Sequence, residues 1–244
     1  MKKIAYYIFA AAMLFAVTSC EKYLEEERYT DVGYDYLTTK VGMESAVVGV
    51  YQCMRWYTGA YNQSSNSTVG GNMEAYYVLT EYGTDFTWEG TDGGFKDPFN
   101  KYLSSLNPQN DEVNKFWNNA YKAITRANTA LIYLPQVPES EMATSLKDQR
   151  AAELHFLRAF YYFDLVQHFG ALPLITEGNV SQVVTDFQRA PVAQVYAQII
   201  SDLKAAYAVL PDIGQQTQRG RATKWSVGHL LAKVYLTRGS ADLA

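Results

Sequence analysis

From residue 38 onward the apolar positions recur at three- and four-residue spacing, with almost no strict alternation, so the chain reads as a series of amphipathic helices. Thr38 or Thr39 can cap the first. Its apolar face would be Met43, Ala46, Val47, Val50, Met54 and Tyr57, with Cys53 an inert core thiol. After Asn107 and Pro108, with Asn110 or Asp111 as cap, Val113, Phe116, Ala120, Ile124, Ala127, Leu131 and Leu134 form one apolar face, until Pro135 stops the run. The stretch 147–169 is apolar almost all round (Leu154, Phe156, Leu157, Tyr161, Tyr162, Phe163, Leu165 and Val166 among others), which places it in the middle of a bundle. Glu153, Arg158, Asp164 and His168 interrupt it too often for a membrane span. Gly170 is expected to end it as a left-handed cap, and Pro173 to prevent its resumption.

Pro191 suits the first turn of a fourth helix with the stripe Val192, Val195, Tyr196, Ile199, Leu203, Ala206, Tyr207 and Leu210, closed by Pro211. Thr223 caps a fifth, with Trp225, Leu230, Leu231, Val234 and Tyr235 expected inward and Gly239 at its end. Within the two pairs, successive helices start about 37 and 32 residues apart, near the ~34-residue period of tetratricopeptide hairpins. The predicted fold class is therefore all-α: tetratricopeptide-like stacked antiparallel helix pairs, with a long irregular loop insertion. Ala120, Ala127, Ala151, Ala159, Ala206 and Ala232 would let neighbouring helices approach closely.

The first residues change the picture from fold to location. Lys2 and Lys3 precede an apolar run from Ile4 to Val17, then Thr18, Ser19 and Cys20, the layout of a bacterial lipoprotein signal. The run is shorter than the ~20 residues of a spanning helix. Residues 1–19 are read as the signal peptide and Cys20 as the lipidated residue. An ordinary cleaved signal with a chance cysteine is the alternative. Each buried methylene contributes about 0.8 kcal/mol, so two or three acyl chains hold permanently. Residues 20–37 then form an acidic tether, through Glu21, Glu25, Glu26 and Glu27, or carry an export address. Residues 38–244 form the helical domain.

Composition narrows the class further. Cys53 is the only other thiol, so no internal disulfide can form once Cys20 is lipidated, and stability must come from a core. With 48% hydrophobic residues there is material for one. A net charge of −4 argues against nucleic acid as a partner. No metalloprotease, nucleophile-elbow, phosphate-loop or calcium-loop motif occurs, and no catalytic residue, metal or cofactor is assigned. His155 and His168 lie thirteen residues apart on one predicted helix, a spacing unsuited to one metal, and His229 stands alone. Arg158 and Glu153, charged amid aromatics, read as structural glue across a helix interface.

The segment between Thr58 and Leu106 lacks a strong helical pattern and is rich in aromatic, amide and acidic residues. An insertion of this size in a compact domain is usually functional or disordered. Sugars present flat CH faces ringed by hydroxyls, so aromatic platforms edged with amides and carboxylates suit them. The alternative for the aromatics is packing, with Tyr76, Tyr77 and Phe86 pinning the loop onto the helices. Glu81, Asp85, Glu89 and Asp92 crowd the same stretch without a scaffolded acid pair of the kind glycoside hydrolysis needs.

Several strings resemble one family. AELHFLRAFYYFDLVQHFGALPLI (152–175) is similar to the signature helix and turn of the SusD/RagB family of outer-membrane nutrient-binding lipoproteins. WNNAYKAITRANTAL (117–131), RAPVAQVYAQIISDLKAAYAVLP (189–211) and GRATKWSVGHLLAKVYLTRG (220–239) agree with it in order and spacing, and CEKYLEEE (20–27) resembles its mature N-terminus. The resemblance implies a lipid-anchored, outward-facing outer-membrane protein that captures an oligosaccharide and delivers it to a SusC-like TonB-dependent transporter without chemistry of its own. TEYGTDFTWEG (80–90) resembles a family segment near the ligand side, which singles out Tyr82, Asp85 and Trp88; Tyr61 and Asn72 complete the candidate ligand residues. Peptide binding on the same scaffold and a periplasmic tetratricopeptide adaptor are the alternatives. Members are usually about twice as long, so the family's irregular C-terminal part is expected to be absent, either because the sequence is a fragment or because the protein is abbreviated.

Overall fold

The computed structural model describes residues 33–58, 73–88, 97–178 and 188–239. The signal segment, Cys20, the acidic run 21–27, Tyr61, Asn72, Glu89 and Asp92 lie outside them, as does the side chain of Tyr77.

A 3-10 turn, Tyr34–Thr38, leads into α1, Lys40–Thr58. Between the two threonine caps left open by the sequence, Thr39 is the one used: its Oγ1 accepts from the Gly42 amide at 3.1 Å. Gly42 itself is required by proximity, since a Cβ there would lie 1.8 Å from the Tyr36 carbonyl oxygen. Met43, Val47, Val50 and Cys53 are buried as expected, with Ala46 and Met54 partly so.

Two short helices follow, α2 (Met73–Thr80) and α3 (Asp97–Lys101), inside the stretch expected to be irregular. The second long helix, α4, is Asp111–Tyr133, and its cap is Asn110, whose side chain accepts from the Glu112 and Val113 amides. Ala120, Ala123, Ile124 and Ala127 have no exposed surface. A proline at the start of the 3-10 turn Leu134–Gln136 ends the helix.

The central helix is α5, Thr144–Phe169, which begins three residues earlier than the periodicity suggested. Fourteen of its 26 residues are buried. Gly170 closes it at φ 68°, ψ −123°, a positive-φ geometry with extended ψ in place of the expected left-handed cap. Leu172–Pro173 (β1) and Arg189–Ala190 (β2) pair antiparallel, with Leu172 opposite Ala190 and Pro173 opposite Arg189. Two residues per strand are too few to leave any alternation in the sequence. Helix α6, Val192–Val209, is preceded by Pro191 in the cap position, and α7, Lys224–Arg238, opens on a capping box between Thr223 and Ser226.

Side-chain pairs set the stacking. Tyr34 meets Tyr133 and Cys53 meets Arg126, so α1 runs antiparallel to α4. Asn128 meets Arg158, Tyr121 meets Tyr162 and Trp117 meets Phe169, so α4 runs antiparallel to α5. Arg158 meets Asp202 and Phe163 meets Tyr196, so α5 runs antiparallel to α6. Helices α4 and α5 start at 111 and 144, and α6 and α7 at 192 and 224, both near the tetratricopeptide period. The all-α, tetratricopeptide-like architecture is the one observed.

The inward stripes of the last two helices are narrower than predicted. Val192 and Tyr207 are exposed on α6. On α7, Trp225 is 64% exposed and Tyr235 and Ala232 are also outward, while Val227, Leu230 and Val234 face in. The reason is the number of neighbours: among the described elements α7 packs mainly on α6 and touches α5 lightly, so only the strip facing them is covered.

Two buried ion clusters hold the layers. Arg158, 1% exposed, donates from Nε to Asp202 Oδ2 at 2.8 Å, from Nη2 to Asp202 Oδ1 at 2.7 Å and from Nη1 to Asn128 Oδ1 at 2.7 Å; it also contacts the Glu177 carboxylate. Burial would raise the Asp202 carboxyl, but the bonds and charge of Arg158 and the nearby His155 outweigh it and hold it below the ordinary range. Glu177 is depressed in the same way, against the same burial cost. Glu153 belongs to a separate cluster. It accepts from Arg150 at 2.7 Å, Arg221 at 2.9 Å and the Tyr51 hydroxyl at 2.7 Å, while Glu44 bonds the same two arginines. The Tyr51 oxygen accepts from the Ala222 amide at 2.9 Å, which ties α1 to the chain entering α7. Glu153 and Arg158 are thus each structural, but they do not pair with one another.

Candidate ligand-binding surface

The segment that carries the candidate residues begins where α2 stops. The turn after Thr80 passes through Gly83 at φ 77°, and the chain is held there by the Tyr102 hydroxyl, which donates to the Gly83 carbonyl at 3.1 Å. Tyr102 lies just past α3 at φ 51°, in the left-handed region, where it is the only described residue other than glycine. A Cβ on Gly83 would lie 2.6 Å from that hydroxyl oxygen, so glycine is needed both for its backbone angle and for the contact. Thr84 Oγ1 donates to the Glu81 carbonyl at 2.7 Å and tightens the turn. Pro98 and Phe99 anchor α3 in buried positions.

These constraints present aromatic rings to solvent. Phe86 is 92% and Trp88 63% exposed, and Tyr102 is exposed as well. The reading of Phe86 as a pin is therefore overturned, because a segment held by its backbone at Gly83 and Tyr102 leaves the ring free to point away. Tyr76 does pin: its ring stacks on Phe116 at 6.3 Å. Of the five candidate ligand residues, Asp85 and Trp88 are exposed and Tyr82 is half-buried on the same short segment; Tyr61 and Asn72 fall outside the described residues. Tyr102 carries no mark in the sequence that distinguishes it from packing tyrosines, since its role depends on a contact nineteen residues away.

The same run of chain ends at Leu106, on the rim of a cleft of about 380 Å³. Leu106, Asn107, Pro108, Val113, Asn114, Trp117, Phe169 and Arg189 line it. Trp117 packs edge-on against Phe169 at 5.0 Å and at 4.8 Å from Tyr121. A second hollow of about 300 Å³ lies between α1 and α4, with Tyr34 and Leu37 at one end and Gly49 and Arg126 along it. Exposed aromatic rings can stack on planar faces, and a cleft with polar groups on an apolar floor can bond at their edges.

Among the described residues no three His, Cys, Asp or Glu side chains stand together as metal ligands. His155 sits beside Arg158 and Asp202, and His168 against the Phe116 ring at 5.0 Å. Cys53 accepts from Arg126 at 3.1 Å, yet burial dominates and pushes its thiol up, so it is a poor nucleophile. No described helix is long and apolar enough to cross a membrane.

Comparison with known proteins agrees with the scaffold. A SusD-like family model, described as "Starch-binding associating with outer membrane", matches residues 22–236. SusD-like protein P2 of Formosa agariphila is 29% identical over 245 residues, covering 100% of this chain and 45% of that protein. A solved laminarin binding SusD-like protein is 32% identical with a TM-score of 0.66, over 83% of this chain and 41% of that one. Surface glycan-binding protein A from Bacteroides thetaiotaomicron, solved in complex with laminarihexaose, shares the fold at 19% identity and a TM-score of 0.64, over 82% of this chain and 39% of that one. The chain spans less than half the length of these relatives. With its stacked helix pairs and a family model matched along nearly all of its length, this chain belongs to the SusD-like family.

Proposed function

We propose that the chain is part of a lipid-anchored outer-membrane protein that captures oligosaccharide at the cell surface and passes it to a SusC-like TonB-dependent transporter, without catalysing a reaction. The observation that carries this is the exposed ledge of Phe86, Trp88 and Tyr102, held by the Gly83–Tyr102 bond on a rigid helical base. Aromatic faces without covering side chains suit the CH faces of sugar rings. Glycan binding by relatives such as the laminarin binding protein supports the reading. Tyr82, Asp85, Trp88, Tyr61 and Asn72 are the residues assigned to the ligand in this reading. In this reading residues 1–19 are the signal peptide, 20–37 the tether carrying lipid on Cys20, and 38–244 the helical domain.

The test is a glycan array followed by titration calorimetry on the strongest hit, with Trp88→Ala beside the parent. Loss of roughly 0.5–1.5 kcal/mol of binding with an unchanged melting temperature is the expected result, the order an aromatic contact contributes beyond its buried area. Binding that survives in both Trp88→Ala and Phe86→Ala would remove the ledge from the function. Protease shaving of intact cells checks the outward orientation, and a protein released intact from membranes by a Cys20→Ala change checks the anchor.

A further inference from the structure

Beyond the ledge, the cleft at Trp117 has a chemistry of its own. Among the described residues its lining holds one cation, Arg189, and no carboxylate. The Arg189 guanidinium lies over the Trp117 ring, 5.7 Å from its centroid, and Nη1 donates to the Ala171 carbonyl at 3.2 Å. Its backbone is fixed by the pairing of β2 with β1, where Pro173 is its opposite. Pro173 is fixed in turn by the Tyr121 hydroxyl, which donates to its carbonyl at 2.8 Å. Arg189 therefore stands in a set place although it is exposed, and no acidic partner neutralises it among the described residues. The nearest acids in sequence on α4 do not supply one: Glu112 is bonded to Lys115 at 2.6 Å, and neither it nor Asp111 lines the cleft.

The polar groups around this arginine are divided unequally. The Asn107 side chain is spent on its own turn, bonding the Ser104 carbonyl and the Gln109 amide. The exposed Asn114 amide has no protein partner among the described residues and faces the same cleft. Trp117, Phe169, Val113 and Leu106 supply the apolar floor and walls. A guanidinium laid on an indole keeps its remaining edge donors for an anion, and the low-polarity wall strengthens that pairing.

We infer that the cleft formed by Trp117, Arg189 and Asn114 binds an anionic sugar residue, a uronate carboxylate or a sulfate ester. It deepens the glycan-capture reading above and rests on it: the ledge would take a neutral ring and the cleft its acidic neighbour, and the run from Tyr102 to Leu106 joins the two.

The probes are a glucuronate–glucose disaccharide, the same disaccharide bearing one sulfate ester instead of the carboxylate, and the neutral glucose–glucose counterpart. Affinity is read by calorimetry, and location by the indole NMR signal of Trp117, assigned with Trp117→Phe. At least one anionic probe is expected to shift that signal and bind roughly tenfold tighter than the neutral one at low salt, as a charge-assisted pair allows. Whichever anion gains more names the source. Arg189→Gln should erase the preference without moving the melting temperature, and 0.5 M salt should shrink it. Equal affinity for all three probes, or a preference that survives in Arg189→Gln, overturns the inference. Neutral glycan bound at Trp88 with no acid preference would refute the cleft and leave the ledge standing. An acid preference at Trp117 with no effect of Trp88→Ala or Phe86→Ala would refute the ledge and leave the cleft.

Discussion

Asp202→Ala is the sharpest probe of what holds α5 to α6. Asp202 is 97% buried and takes two of the hydrogen bonds of Arg158, at 2.8 and 2.7 Å, across the helix interface. Removing one partner of a buried pair strands the other charge and typically costs ~3–5 kcal/mol. Here the lower end applies, because Arg158 keeps Asn128 and Glu177, although Glu177 is more than a third exposed and its pairing is screened. A loss of ~3 kcal/mol corresponds to a fall in melting temperature of roughly 6–12 °C for a chain of this size. Urea denaturation followed by circular dichroism measures it, with Arg158→Met and the double variant completing a thermodynamic cycle. The double variant should be less damaged than the sum of the two singles, since it leaves no stranded guanidinium at this interface. A loss below ~1 kcal/mol in Asp202→Ala, or strict additivity, would show that the pair does not carry the interface.

Three further outcomes follow from the same contacts. Asp202 and Glu177 have carboxyls held below their ordinary values, so the stability they contribute is full above the unfolded carboxylate range near pH 4 and is lost as pH falls through it and below. Melting temperature recorded from pH 7 down to pH 3 should drop at the acid end, and drop less in Asp202→Asn. Tyr51→Phe removes the hydroxyl that bridges Glu153 and the Ala222 amide, so it should cost about 1–3 kcal/mol in denaturant titration. Gly42→Ala places a Cβ 1.8 Å from a backbone oxygen, so the 3-10 turn must move away from α1; a cost of about 1–3 kcal/mol is expected, and an unchanged midpoint would contradict the close approach.

The helices were legible because their signals are local. Met43, Val47 and Val50 lie on one face by spacing alone, and Asn110, Thr223 and Gly239 mark helix ends by chemistry that acts within four residues. The unbroken apolar run in α5 likewise announced its central place, since no surface helix can leave so many rings uncovered. Short α2 and α3 escaped because a stretch of eight or five residues is too brief for a period to register. Trp225 and Tyr235 were misplaced for a related reason: periodicity shows that a helix has an apolar face, but how wide a strip is covered depends on how many neighbours stand against it.

The candidate site divides along the same line. Composition and the string around Trp88 singled out this segment as the candidate, whereas the ring exposure of Phe86 and the clamp of Tyr102 on Gly83 depend on how that segment is docked. Arg158 was recognisable as a buried structural charge, but its partner Asp202 lies 44 residues away and no local pattern connects them. Helix identity, helix ends and the layered class are properties of short-range backbone sterics and residue spacing, so they were present in the chain before it folded. Partners of buried charges, the outward side of α7 and the meeting of Trp117 with Arg189 exist only once distant segments are brought together, because burial and pairing energies belong to contacts and not to residues.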